Sequence, residues 1–108
     1  MGKRAKQAGM AAMSGSAGVG EAVAVLRLLG HTERLRVLCH LAGEGELAVG
    51  ELLERTHLSG SALSQHLARL RAHGLVATRK QRQTVYYRVA RPDVHRLLET
   101  LHGLYCEA

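Results

Sequence analysis

At Gly74 the hydrophobic period of this chain changes, and that change limits what it can fold into. Upstream, in SGSALSQHLARLRAHGL (59–75), Leu63, Leu67 and Leu70 recur at helical spacing. Downstream, LVATRK and TVYYRV alternate as strands do, and Thr84, Val85, Tyr86 and Tyr87 favour extended backbone. KQRQ between them reads as a basic polar loop. Ahead of the short helix, His57, Leu58 and Ser59 leave only a tight connection to another helical segment, about Val49 to Arg55, with Leu52 and Leu53 inward. Ser59 is the expected N-cap, the helix spans about Gly60 to Ala72, and Gly74 ends it.

The flanks fill in around that unit. From Glu21, Val23, Leu26 and Leu29 fall on one helical face and Gly30 ends the run. Thr32 is the expected cap of the next helix, with Leu35, Leu38, Cys39 and Ala42 on its buried side and Gly43 and Gly45 breaking it. Pro92 suits the first position of a last helix and Asp93 its first turn; Val94, Leu97, Leu98, Leu101, Leu104 and Tyr105 follow. Residues 1–19 are rich in Gly, Ala and Ser and basic at Lys3, Arg4 and Lys6, which predicts a disordered tail ahead of one domain over 20–108. The order helix-helix-helix-helix-strand-strand-helix defines a mainly α fold with a β-hairpin, a winged helix-turn-helix.

Charge says which surface matters. Between Glu54 and Asp93 there is no acidic residue, yet the interval holds Arg55, Arg69, Arg71, Arg79, Lys80, Arg82, Arg88 and Arg91. Residues 21–54 carry six Glu against Arg27, Arg34 and Arg36. A one-sided basic block inside a folded domain is the footprint of a polyanion-binding surface, although a merely solvated basic face has the same composition. The face opposite the leucines, Ser61, Ser64, Gln65 and Ala68, is small and polar without an acid. In a helix-turn-helix such a face enters the DNA major groove, where Gln pairs with adenine and Ser contacts several bases. Ser61, Ser64 and Gln65 are the expected base readers. Arg69 is expected at phosphate, and Arg79, Lys80, Arg82 and Gln83 of the wing at backbone or minor groove. His66, beside the apolar stripe, reads as a structural or phosphate-contacting residue rather than a metal ligand.

The run VGELLERTHLSGSALSQHLARLRAHGLVATRKQRQTVYYRV (49–89), with GHTERLRVL before it, resembles the ArsR/SmtB family of bacterial repressors. The likeness is greatest to the thiol-sensing, persulfide-responsive branch containing HlyU, BigR and SqrR, which carries one cysteine in the second helix and one near the end of the last. VLCHL and LYCEA supply Cys39 and Cys106 at those places. The resemblance implies a homodimeric repressor that binds a palindromic operator on double-stranded DNA when reduced. It also implies release when Cys39 and Cys106 are bridged by disulfide or polysulfide, with a reactive sulfur species or another oxidant as inducer.

Other readings remain open at this point. The thiolate motif of the family's metal sensors falls on ELAVG, where Ala48 and Gly50 stand at the ligand positions. Asp93 and His95 match only the start of the family's last-helix zinc site, so no metal site and no cofactor is assigned. A metal-responsive or ligand-independent regulator, or an antirepressor that displaces another DNA-binding protein, is the alternative. Cys39 inside an apolar helix also fits a small buried hydrophobe. A small thiol enzyme or sulfur carrier is the distant alternative: there is no CxxC, no paired acid–base set and no phosphate loop, and His40 beside Cys39 points to another side of the helix. No run approaches the ~20 apolar residues of a membrane span, and the Ala/Gly/Ser-rich start is too weakly hydrophobic for a secretory signal. The expectation is a cytoplasmic protein without a membrane partner, its thiols initially reduced.

Overall fold

The computed structural model describes the chain from Gly2 to Cys106, with side chains from Lys6 onward. In chain order the elements are α1 (Gly2–Met13), α2 (Gly18–Leu29), α3 (Thr32–Glu44), β1 (Leu47–Ala48), α4 (Val49–Arg55), α5 (Gly60–Ala72), β2 (Val76–Gln81), β3 (Thr84–Val89) and α6 (Pro92–Tyr105). The winged helix-turn-helix is therefore present, with α4 and α5 as its helical pair and β2–β3 as its wing.

Local signals explain most of these boundaries. The Ser59 hydroxyl accepts the Ala62 N–H at 3.1 Å and starts α5. Gly74 at φ +73° turns the chain from α5 into β2. Glu51 Oε1 accepts the Ala48 N–H at 2.9 Å and closes the first turn of α4. Pro92 opens α6 as expected. The strands pair in the order β1-β3-β2, all antiparallel. Register runs from Val76 opposite Val89 to Gln81 opposite Thr84. KQRQ is thus not all loop: Lys80 and Gln81 extend β2, and the reversal is made at Arg82 and Gln83, with Arg82 at φ +57°. The short β1 was not foreseen, since two residues carry no periodic signal.

The core joins all of these except α1. Leu28 and Leu29 of α2, Val37, Leu38 and Leu41 of α3, Leu47, Leu52, and Leu63, Leu67 and Leu70 of α5 meet Leu75, Val76, Val94 and Leu98. Arg34 is buried beneath α2, where its Nε donates to the Leu28 carbonyl at 2.9 Å and its Nη2 to the Arg27 carbonyl at 3.3 Å. Those carbonyls lie in the last turn of α2, which has no intrahelical partners for them.

Three expectations are corrected. Residues 1–19 are not a disordered tail throughout: Gly2–Met13 is helical, because Ala, Gln, Met and Lys form helix readily even without a core to join. The side chains of Lys3 and Arg4 lie outside the described residues. On α2, Val25, Leu28 and Leu29 turn toward α3, and Val23 and Leu26 are exposed. His31, not Thr32, caps α3: its Nδ1 accepts the Glu33 N–H at 3.2 Å. Cys39 is exposed, because the inward face of α3 is set by Arg34, Val37, Leu38 and Leu41, which leaves position 39 on the flank.

Candidate nucleic-acid interface and thiol pair

Burying Leu63, Leu67 and Leu70 turns Ser61, Ser64, Gln65, Ala68 and Arg69 of α5 out to solvent. Ser64, Ala68, Arg71 and Ala72 form one side of a concave groove of about 490 Å³, completed by Val49, Leu67 and Tyr87. The groove separates the reading face from the base of the wing. Lys80, Arg82 and Gln83 are exposed at the wing's far end.

The basic block is thinner than its composition implies. Arg55 Nη2 pairs with Glu44 at 2.7 Å, and Arg91 pairs with Glu21 and with Asp93, each at 2.7 Å. Arg79 pairs with Glu46 at 2.8 Å, donates to Gln81 Oε1 at 3.0 Å and lies 4.8 Å from the Tyr86 ring centroid. Arg79 is thus exposed but already paired within the chain, unlike Lys80 and Arg82. Glu46 is held below the usual carboxylate range by the Arg79 hydrogen bonds, so this pair persists through neutral pH. Arg69, Arg71, Lys80, Arg82 and Arg88 make no ion pair among the described residues, and they are the cations left for a polyanion.

His66 has a structural partner. Its ring lies 4.7 Å from that of His31, centroid to centroid, so α5 rests on the cap of α3. Burial, then the neighbouring His31, Arg34 and Arg69, hold the His66 imidazole below its usual range. It is therefore neutral at pH 7.

The two thiols end on neighbouring elements. Cys39 projects from α3, and Cys106 caps α6, its N–H donating to the His102 carbonyl at 2.9 Å. α3 packs against α6. Partial burial pushes the Cys39 thiol up, and the nearby Cys106 adds to the shift. The structure thus brings the pair into electrostatic range while leaving both exposed. Cys39 opens on a cleft of about 350 Å³ lined by Ala42, Gly43, His95, Leu98, Glu99 and His102. His95 stood out in the sequence only against a zinc site, although His95, Glu99, His102 and Cys106 recur at helical spacing on α6. Among the described residues no group of three or more His, Cys, Asp or Glu could hold a metal ion. Nor is any single helix among them long and apolar enough to cross a membrane.

A helix face this small and polar gains little from facing water alone but fits against the edges of base pairs; the molecule is a winged helix-turn-helix, DNA-binding transcription regulator. Residues 31–78 match the family model for bacterial regulatory proteins of the arsR family. The transcriptional activator HlyU of Vibrio cholerae is 51% identical over 82% of this chain and 81% of its own length. Reduced HlyU from that organism superposes with a TM-score of 0.79 at 49% identity, covering 83% of this chain and 94% of that one. The transcriptional repressor BigR from Xylella fastidiosa superposes at 0.77 with 33% identity, covering 83% and 91%. The chain belongs to the arsR family. These relatives are transcription regulators and not enzymes.

Proposed function

We propose that this protein is a homodimeric repressor whose hold on a palindromic operator is released when Cys39 and Cys106 become bridged. The observation that carries the reading is the thiol pair: two exposed cysteines on packed helices, near enough for one to shift the other's ionisation. The similar HlyU has a reduced form of its own, which agrees with a redox-responsive branch. BigR is a repressor, and this chain takes that role by likeness.

In this reading Ser61, Ser64 and Gln65 read bases, Arg69 meets phosphate, and Lys80, Arg82 and Gln83 follow the backbone or minor groove. Arg79 contributes mainly by fixing the wing through Glu46. Dimerisation uses α2 and α6, whose outward residues Val23, Leu26, Leu104 and Tyr105 are exposed large hydrophobics with no cover in a single copy. An isologous pairing across them gives the two-fold symmetry that a palindrome requires. The inducer is a reactive sulfur species or another thiol oxidant, met in the cytoplasm. A direct disulfide needs Cα atoms within about 7 Å; inserted sulfur atoms relax that limit.

The test is peptide mapping and operator binding of the wild type, Cys39→Ser and Cys106→Ser before and after a glutathione persulfide pulse. All three should bind operator when reduced. Only the wild type should yield a linked Cys39–Cys106 peptide and lose the DNA. Release of Cys106→Ser by the same pulse would overturn the two-thiol bridge.

A further inference from the structure

Four titratable groups run along one face of α6: His95, Glu99, His102 and Cys106 are separated by four, three and four residues. That interval stacks side chains on a helix. The first three form one wall of the cleft, and Cys39, Ala42 and Gly43 form the other. Ala42 and Gly43 leave the cleft open; a Cβ added to Gly43 would meet nothing within 4 Å. A volume near 350 Å³ accommodates water or a small reactant beside the thiol.

Cys39 needs help to react. Its thiol is pushed up by burial and by Cys106, and only the thiolate is a nucleophile. His95 is arranged to supply that help. Its Nδ1 lies 3.0 Å from Glu99 Oε1. A carboxylate only accepts, so Nδ1 carries the proton of the neutral ring and the lone pair is left on Nε2. A carboxylate so placed also stabilises the imidazolium that forms when Nε2 takes a second proton.

We propose that His95, oriented by Glu99, is the proton acceptor for Cys39 across this cleft. The Cys39 S–H bond breaks, its electron pair stays on sulfur, and the proton passes to Nε2 directly or through a water in the cleft. With a persulfide as oxidant, the thiolate attacks the outer sulfur and the S–S bond of the persulfide breaks. The departing thiolate takes the proton back from His95, leaving a persulfide on Cys39. Cys106 then attacks the Cys39 sulfur, expels hydrosulfide, and its own proton completes hydrogen sulfide. The consequence for DNA rests on the two-thiol reading above; the proton transfer does not.

Cys39 from α3, His95, Glu99 and His102 from α6, and Cys106 at its end are the titratable groups at the cleft. The polar neighbours of Cys39 on α3 have partners of their own: Arg36 pairs with Glu33, and His40 lies against Glu44. No charged side chain of α2 or β3 lines it.

The test is the rate of iodoacetamide alkylation of Cys39 against pH in Cys106→Ser protein, where Cys39 is the one cysteine left. That profile should show a second limb, below the thiol's own ionisation. Adding His95→Gln should remove the limb and slow alkylation at pH 7 on the order of 10-fold. Glu99→Gln should give a smaller loss, and His102→Gln should leave the profile unchanged. Operator affinity of the reduced variants reports folding and should not move. An unchanged profile in His95→Gln, or the loss appearing in His102→Gln instead, overturns the assignment. If the limb is present but persulfide does not release wild-type protein from DNA, the gating fails while the proton acceptor stands.

Discussion

Ser64 and Arg71 share one groove wall, Gln65 lies one step farther around α5, and Arg82 stands at the tip of the wing. Those places imply different contributions to binding. A base-edge contact discriminates by about 1–3 kcal/mol, whereas a phosphate contact strengthens every sequence alike. Ser64→Ala and Gln65→Ala should therefore narrow the gap between operator and random DNA. Arg82→Ala should weaken both equally and, lost from both protomers, flatten the salt dependence by about two units of slope. Fluorescence titrations on the two duplexes at several salt concentrations measure this, and equal losses for all three variants would contradict the division of labour. The polar face was legible from residue spacing alone, because Leu63, Leu67 and Leu70 fix the orientation of α5. The engagement of Arg79 was not: Glu46 is 33 residues away, and only the pairing of β1 with β3 brings the two together.

At the scale of elements, local chemistry decides more than tertiary contact does. Ser59, Gly74 and Pro92 each sit where the backbone needs them, so α5, the hairpin and α6 could be read from the sequence. Removing the cap tests one such signal. Ser59→Ala leaves the Ala62 N–H without its acceptor and should cost about 1 kcal/mol of stability by urea unfolding. Gly at 59 should cost only a few tenths. Equal losses for both would mean that the hydroxyl serves something other than the helix start. Faces were less legible than boundaries. α2 and α3 each carry more apolar positions than the core accepts, and sequence cannot say which stripe turns inward. Cys39 was assigned to the buried side for that reason and is exposed. α1 escaped because low hydrophobicity argues against a core but not against a helix.

For the whole molecule, the proposed function depends on two copies and on the distance between them. Paired recognition helices must lie about 34 Å apart to enter successive major grooves. In the proposed dimer, a bridge from Cys39 to Cys106 would tie α3, in the body that carries α5, to α6, whose Leu104 and Tyr105 are exposed. A small rotation of one against the other changes that spacing. A loss of affinity on the order of 100-fold needs only about 2.7 kcal/mol, well within what a covalent tether between packed helices can impose. The most direct measurement is fluorescence anisotropy on the duplex upstream of the protein's own coding sequence, at fixed salt. The same sample is read reduced, after a glutathione persulfide pulse, and after dithiothreitol. Tight binding, its loss, and its return in that order are the predicted result. Tight binding that the pulse leaves unchanged would keep the DNA reader and contradict the thiol gate.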